Sequence, residues 1–581
     1  MANFFTDNED IQFLFNHIDM KSLAEIQERL AENGDADYAP KDADDMVDNY
    51  RLALEIIGEV AGETIAPNAE QVDEEGNTLN DNGTVTLHPL VQENLDRLSQ
   101  ADMMGFTLPR KYGGLNCPNL IYTIATEIVS RADASFMNMF GLQGIAETVN
   151  AFASQDIKDE VLPKFCVGEV TGAMVLTEPD AGSDLQAVRL RADQDENGNW
   201  VLNGVKRFIT NGCGEILLVL ARSEHHISDG RGLSLFIAER GETVRVRHLE
   251  HKLGIHGSPT CELVFDNTPA RLIGERQRGL ITYVLALMNG ARVGIAAQSV
   301  GIAEASYRVA RTYANTREQF GGPIERLPAV AELVTGMKVD LEAARALLYE
   351  TSRFCDQENN NLRLLEWHAD QLDPEEAKTL KKKGRGLKRI NSMLTPMSKY
   401  YCSELSIDIS HRAIQVLGGS GYMKDYASER YWRDSRITTI YEGTSQLQVV
   451  AAIKGVTSGT FEQFIADYEA KKLGDDQLEA LKQKLIAGHE KLKEAIAFAK
   501  GRSGSFVDLS ARRLVDSAIG ILCGHLLLGQ ATQWDRKKLV AERYINDKMA
   551  ELSMNCEKIC AGDSLTLDHY ETLAGPIPVV E

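Results

Sequence analysis

Two hydrophobic periods divide the chain. Apolar residues recur three or four positions apart through Ile11, Leu14, Phe15 and Ile18, and again through Leu23, Ile26 and Leu30. That spacing is the stripe of an amphipathic helix. A Gly/Asp/Pro break at 34–40 closes this N-terminal arm, residues 1–44. The same period predicts an all-helical domain over 45–168, punctuated by Pro67, the Glu75-Gly-Asn77 turn and the Pro109-Arg-Lys-Tyr-Gly-Gly114 loop. From about residue 169 the period shortens to two. Strands are predicted at 171–176, 200–202, 216–220, 233–237 and 261–265, with turns at 196–199, at Asn203-Gly204 and at 229–232. They make a small middle β domain, barrel-like or sandwich-like, over 169–280. Helical spacing returns over 281–458, with long runs at 285–316, 329–354 and 389–417. Within it a polar stretch, 356–388, carries the basic run Lys381-Lys-Lys-Gly-Arg-Gly-Leu-Lys388 and reads as a solvated insertion between two core helices. A further C-terminal helical domain is predicted over 459–581. Helices and strands segregate, so the class is α+β, mainly α: an N-terminal helical domain, a β domain, a C-terminal helical bundle and an extra helical domain.

At 581 residues the chain exceeds one hydrophobic core. Its formal charge of −23 is uneven: residues 1–100 hold 23 acids and 5 bases, whereas 457–581 hold 19 and 16. No segment is strongly basic, which argues against nucleic acid or anionic lipid as the main partner. The first residues lack a basic region followed by an apolar one, so no signal peptide is expected. The most apolar run, 518–529, reads as too short to span a bilayer. Nine cysteines are scattered, and only Cys556 and Cys560 lie close together. That spacing is weak as a metal site, so none is expected, and the composition suits a reducing cytoplasm.

Five stretches carry candidate chemistry. Residues 433–448 set Glu442 directly before Gly443 and the run Thr444-Ser445-Gln446. A glycine after an acid permits a sharp turn or close approach of a ligand; the same residues also suit a helix start capped by Thr444 or Ser445. Val175-Leu-Thr-Glu-Pro-Asp-Ala-Gly-Ser-Asp184 follows a strand and gathers hydroxyls and backbone N–H groups, as for a diphosphate or a polar ring edge, or else closes a hairpin. In Lys206-Arg-Phe-Ile-Thr-Asn-Gly212, Phe208 and Ile209 suit the face of a flat ring and Thr210 its edge. Asn315-Thr-Arg-Glu-Gln-Phe-Gly-Gly-Pro-Ile324 places Arg317 and Phe320 on one side of a helix end, where Gly321 can also act simply as the helix stop. Gln415-Val-Leu-Gly-Gly-Ser-Gly-Tyr422 lets a phosphate or sugar lie on bare backbone, without the strand or spacing of a dinucleotide fingerprint.

Together, in this order, the five stretches resemble the acyl-CoA dehydrogenase family over roughly residues 45–455. The resemblance rests on Thr177-Glu-Pro-x-Ala-Gly-Ser-Asp184, Phe208-Ile-Thr-Asn-Gly212, Thr316-Arg-x-x-Phe-Gly321, Gln415-x-x-Gly-Gly-x-Gly421 and Tyr441-Glu-Gly-Thr-Ser-Gln446. The length, the polar stretch and the helical tail look like the family's longer bacterial branch. What the resemblance implies is FAD, bound by Met174, Leu176, Thr177, Gly182, Ser183, Phe208, Ile209, Thr210, Thr444 and Gln446. Arg317, Phe320, Gln415, Gly418 and Gly419 would reach the FAD of a neighbouring subunit in a homodimer or homotetramer. Ser183 would also contact CoA, Asn289, Arg292 and Gly443 would line the substrate site, and Glu442 would be the general base. Family members often carry an acid where this chain has Asn289.

The implied reaction is α,β-desaturation of an acyl-CoA, with electrons passed to an electron-transfer flavoprotein. An oxidase using O₂ is the alternative that these motifs do not separate. A DNA-associated flavoprotein conflicts with the near-neutral tail, and a subunit without chemistry conflicts with the intact Glu442 and Arg292. The 3-methylmercaptopropionyl and plain short- or medium-chain thioesters both stay open as substrates.

Overall fold

The computed structural model describes residues 2–29, 36–367 and 372–578. Leu30, positions 34–35 of the expected break and positions 368–371 of the polar stretch lie outside them. Among the described residues, nine α-helices precede the β domain: α1 (Glu9–His17), α2 (Met20–Arg29), α3 (Ala43–Val60), α4 (Ala66–Glu75), α5 (Pro89–Gln100), α6 (Asn119–Ala132), α7 (Ala134–Gly141), α8 (Ile145–Phe152) and α9 (Gln155–Cys166). Their starts follow from local chemistry. Asn8, Asp42 and Asp133 accept backbone N–H groups at the heads of α1, α3 and α7, satisfying donors that a helix leaves unpaired. Ile11, Leu14 and Phe15 of the arm are buried, so it belongs to the core.

Seven strands follow: β1 (Gly172–Val175), β2 (Arg191–Gln194), β3 (Trp200–Thr210), β4 (Ile216–Arg222), β5 (Leu233–Glu239), β6 (Val244–Leu249) and β7 (Thr260–Ile273). Pairing runs β4–β5–β7–β3–β2 and returns to β4 through Arg191 and Arg222, closing a barrel; β1 lies parallel to β4, and β6 pairs with β7. Asn203-Gly204 is not the turn its composition predicts. β3 runs through it, and the register against β7 shifts between Leu202 and Gly204, where Gly204 takes φ +143°. A dipeptide that closes a hairpin elsewhere here absorbs a bulge. Two strands go beyond those expected. β2 is short and polar, and β6 alternates buried Val244 and Val246 with exposed Arg245 and Arg247.

The remainder is helical: α10 (Leu285–Thr316), α11 (Pro328–Trp367), α12 (Pro374–Leu417), α13 (Ser428–Ser435), α14 (Ser445–Thr457), α15 (Thr460–Ala470), α16 (Asp476–Lys500), α17 (Gly504–Ala531) and α18 (Asp535–Cys560). The polar stretch is solvated over most of 374–388 but does not interrupt the helices. Its described residues are the outer parts of α11 and α12, helices of 40 and 44 residues. Asp356, at its start, is buried and accepts the backbone N–H groups of Asn119 and Leu120 at 2.7 and 2.9 Å. A carboxylate there neutralises the positive end of α6, while burial holds its pKa up at about 6.

The run at 518–529 also belongs to something longer than expected. α17, and the helix that reaches Thr316, are long and apolar enough by length and composition to cross a membrane. In α17 that apolar surface is spent on the interior: Leu514, Ile519, Leu522 and Leu527 are fully buried against α14, α16 and α18. Cys556 lies in the same apolar cluster and Cys560 is exposed.

One buried ionic cluster joins distant parts of the chain. Arg345 of α11 contacts Asp10, Glu127 and Glu304 at 2.6 to 2.7 Å, and Lys537 of α18 contacts Asp10 at 2.5 Å and Glu342 at 2.7 Å. Arg345 and Lys537 are completely buried. Such charges are tolerable only because each is paired and hydrogen-bonded.

Candidate active site

Glu442 sits in a tight turn between the short helical segment ending at Thr439 and α14. Two consecutive residues there are left-handed, Glu442 at φ +55° and Gly443 at φ +93°. For a residue with a Cβ this costs about 1–2 kcal/mol, so the surroundings must hold it. They do. Lys399 Nζ donates to the Gly443 carbonyl at 2.7 Å, and Gln448 Nε2 donates to the carbonyls of Glu442 and Gly443 at 3.1 Å each. A Cβ on Gly443 would meet Gln448 Nε2 at 2.6 Å. Thr444 caps α14 by accepting from the Leu447 N–H, so the helix-start reading and the turn coexist.

The backbone of this turn is partly open, whereas the Glu442 carboxyl lies among enough protein that burial dominates its chemistry. Burial pushes its pKa up to about 7, against the pull of Arg292 and Lys399. Burial also lowers Lys399 to about 7 and lowers Arg292, each opposed by Glu442. A carboxylate titrating near neutrality beside two cations is the electrostatic profile of a general base. Arg292 Nη1 donates to Asn289 Oδ1 at 3.1 Å. The pair stands near the start of α10, where Leu287 and Met288 share an apolar cluster with Met174 and Leu176 of the barrel.

The barrel side is built by a second left-handed residue. Lys206 Nζ donates to the Leu176 carbonyl at 2.7 Å and pairs with Glu178 at 3.0 Å, and the Arg207 N–H donates to the Thr177 carbonyl at 2.9 Å. The end of β1 is thereby clamped to β3, with Thr177 bonded to Arg207, the residue before Phe208. Phe208 takes φ +59° at a register shift and leaves its ring 53% exposed, while Ile209 turns into the barrel. Asn211 fixes the next turn by donating to the Gly172 carbonyl at 3.0 Å. Gly182 and Ser183 lie exposed on the adjoining loop.

Two residues expected to bind FAD, one of them against its ring, have their side chains in the core. The side chains of Ile209 and Leu176 are 2% and 5% exposed and belong to apolar cores, so only their backbones remain for a ligand. Strand alternation at the Phe208 bulge sends one side chain out and the next in. Arg317, Phe320, Gln415, Gly418 and Gly419 do not join Glu442. Arg317 caps the far end of α10, 25 residues beyond Arg292, or about 37 Å at helical rise. Gln415, Gly418 and Gly419 are exposed at the end of α12, which reaches α10 there through Tyr313 and Ser420. Phe320 is 91% exposed.

Several residues that hold the turn and its neighbouring loop were not singled out in the sequence. Tyr441 OH donates to Gln298 and Asn138, tying the turn to α10 and α7. Asp434 tethers the loop before β7. Lys399 had a signal: it is the only charged residue between Arg389 and Glu404, inside an otherwise buried helix. The exposed Phe208 ring, the partnerless Ser445 Oγ and the partnerless Arg292 Nε suit a cofactor with a flat ring and polar substituents.

An exposed aromatic ring on the barrel and a carboxyl titrating near neutrality on a strained turn suit an oxidoreductase that uses a flat-ringed cofactor. The comparisons with known proteins specify it. Residues 48–169, 173–268 and 278–456 match the N-terminal, middle and C-terminal domains of acyl-CoA dehydrogenase, and 457–561 match a further domain described as "Acyl-CoA dehydrogenase C terminal". The 3-methylmercaptopropionyl-CoA dehydrogenase of Ruegeria pomeroyi is 32% identical over 73% of this chain and 74% of its own length. Butyryl-CoA dehydrogenase of Megasphaera elsdenii superposes with TM-score 0.59 at 27% identity, over 70% of this chain and 97% of its own. An acyl-CoA dehydrogenase of Bacillus anthracis complexed with FAD shares the fold across 92% of both chains, with TM-score 0.74 at 22% identity. The chain belongs to the acyl-CoA dehydrogenase family of FAD-dependent enzymes.

Proposed function

We propose that this protein converts a saturated acyl-CoA to the trans-2-enoyl-CoA, with Glu442 as general base. The observation that carries the reading is the Glu442 carboxyl itself, held on a strained turn with a pKa near 7 between Arg292 and Lys399. The α C–H of a thioester is a very weak acid, so its removal needs a base poised near working pH and donors for the enolate oxygen. The Glu442 backbone N–H is the donor assigned to that oxygen. The two N–H groups before it, of Ile440 and Tyr441, are already bound to the Ile437 carbonyl. Gly443 leaves the thioester room to enter, and Arg292 with Lys399 balances the negative charge of the site.

FAD, when bound, accepts the β-hydride, so the substrate loses one proton and one hydride and gains a C=C bond. Thr177, Phe208, Thr210, Gly182, Ser183, Thr444 and Gln446 are the side chains and loop backbone assigned to hold it. Arg317, Phe320, Gln415, Gly418 and Gly419 serve the FAD of a second copy. Their distance from Arg292 along α10 and the bare Phe320 ring support that assignment. Electrons then pass to an electron-transfer flavoprotein. A chain in a structure titled for the electron transferring flavoprotein of Acidaminococcus fermentans is 28% identical to this one. A 3-methylmercaptopropionyl thioester is the second substrate reading, favoured by the relative from Ruegeria pomeroyi.

The test is anaerobic flavin bleaching by acyl-CoAs of graded length and by 3-methylmercaptopropionyl-CoA, with wild type and Glu442→Gln. Bleaching by at least one thioester in wild type, lost in Glu442→Gln at unchanged FAD content, is the expected result. Normal turnover in that variant would sink the assignment.

A further inference from the structure

Lys399 is a strange residue to bury. It sits inside α12 with no exposed surface, facing the catalytic turn rather than solvent, and spends one hydrogen bond on the Gly443 carbonyl at 2.7 Å. Burying an ammonium ion is costly unless something in the site requires the charge. A methionine or leucine at this position would pack α12 without that penalty, and Gln448 alone already bonds both carbonyls of the turn.

The neighbouring charges show what the ammonium answers to. On the turn it faces Glu442; from α10 it faces Arg292; along its own helix it faces Glu404. Glu442 in turn faces Arg292 and Lys399, and Tyr441 beside it faces Asp434. Arg292 Nη1 donates to Asn289 on its own helix rather than to the carbonyls of the turn. Lys399 holds the turn and faces the carboxylate at once.

We propose that Lys399 is a positioning residue for the base: its ammonium pins the left-handed Glu442–Gly443 turn and keeps the Glu442 carboxylate ionised near neutral pH. The inference rests on the assignment of Glu442 as base. Its chemistry is that of a counter-charge present on the acid side of neutrality, Lys399 and Glu442 each favouring the charged form of the other. An opposite charge at close range favours the ionised acid, so removing the cation raises the pH at which the base becomes competent. The hydrogen bond adds a geometric role, because the turn places the carboxylate and its own N–H on the same substrate.

The experiment measures the rate of anaerobic flavin reduction from pH 5.5 to 9, using an acyl-CoA that bleaches the wild type. Wild type is compared with Lys399→Met, Lys399→Gln and Lys399→Arg, with FAD content and thermal midpoint recorded for each. In Lys399→Met the acid limb is expected to move up by about 1 pH unit or more. Lys399→Gln keeps an N–H donor for Gly443 and carries the same expectation where Lys399→Met fails to load FAD. Lys399→Arg keeps the cation and returns the limb towards wild type. Acid limbs that coincide in wild type and the neutral variants overturn the proposal, as does a limb displaced equally in Lys399→Arg. If no thioester bleaches the wild type, the assignment of Glu442 has failed, which is a different outcome from an unmoved limb in an active enzyme.

Discussion

Asp434 Oδ1 accepts the backbone N–H of Ile255 at 2.5 Å, binding the loop before β7 to α13 and so to the turn that carries Glu442. Ile255 is left-handed at φ +50°, and a Cβ on its neighbour Gly254 would lie 2.6 Å from the same carboxyl oxygen. Burial pushes Asp434 up to about 7, so its charged form is costly although its oxygen is needed. Asp434→Asn keeps an acceptor and removes that cost, whereas Asp434→Ala orphans the Ile255 N–H. Chemical denaturation should show a loss of about 1–3 kcal/mol for Asp434→Ala and little for Asp434→Asn. Because the folded pKa is raised, Asp434 binds its proton more tightly in the folded state. Wild-type stability should therefore fall relative to Asp434→Asn as pH rises from about 4 through about 7, a difference that thermal melts across that window would read.

Glu442 predicts a pH profile for catalysis. A base with a pKa near 7 is protonated and idle below that value, so kcat/KM should rise tenfold per pH unit on the acid side and level off above about 7. An acid limb near 4.5 would mean that the carboxyl is solvated in the working enzyme.

Phe320 and Arg317 predict an assembly effect. Both are exposed at the far end of α10, although an almost bare phenyl ring is an awkward surface group. Phe320→Ala and Arg317→Ala should fold with unchanged helicity, yet release FAD at lower dilution than wild type. Fluorescence of free flavin after dilution, read beside light scattering, checks this. Unchanged retention in both variants would return the pair to an ordinary helix end.

Arg345 predicts a stability effect. Arg345→Met strands Asp10, Glu127 and Glu304 around an apolar side chain. The expected loss is about 3–5 kcal/mol, measured by denaturant unfolding. Replacing Arg345 together with its three acids by apolar residues of matching volume should recover much of it.

The fold was legible where periodicity was strong and burial simple. The helix–β–helix order, the β1 and β4 strands and the long α10 all follow from spacing. The polar stretch misled because long helices with solvated faces lose their apolar stripe while keeping their hydrogen bonds, as α11 and α12 do beyond Asp356. Gly204 misled because one dipeptide serves both a hairpin and a bulge. At the candidate site, Glu442, Arg292, Thr177 and Phe208 are residues that the sequence itself singles out. Lys399, Gln298 and Asp434 are not among them, since each acts through a partner more than 25 residues away in sequence or through backbone atoms. Ile209 was assigned to the ring and found in the core, because a one-residue register shift decides which face a side chain takes.

Asp10 gives one oxygen to Arg345 and the other to Lys537. Lys537 lies 527 residues beyond Asp10. A chain cut before Lys537 would leave Asp10 with Arg345 but without its second cation. A truncation in α18 should therefore loosen the distant arm that carries α1, a change that limited proteolysis would read.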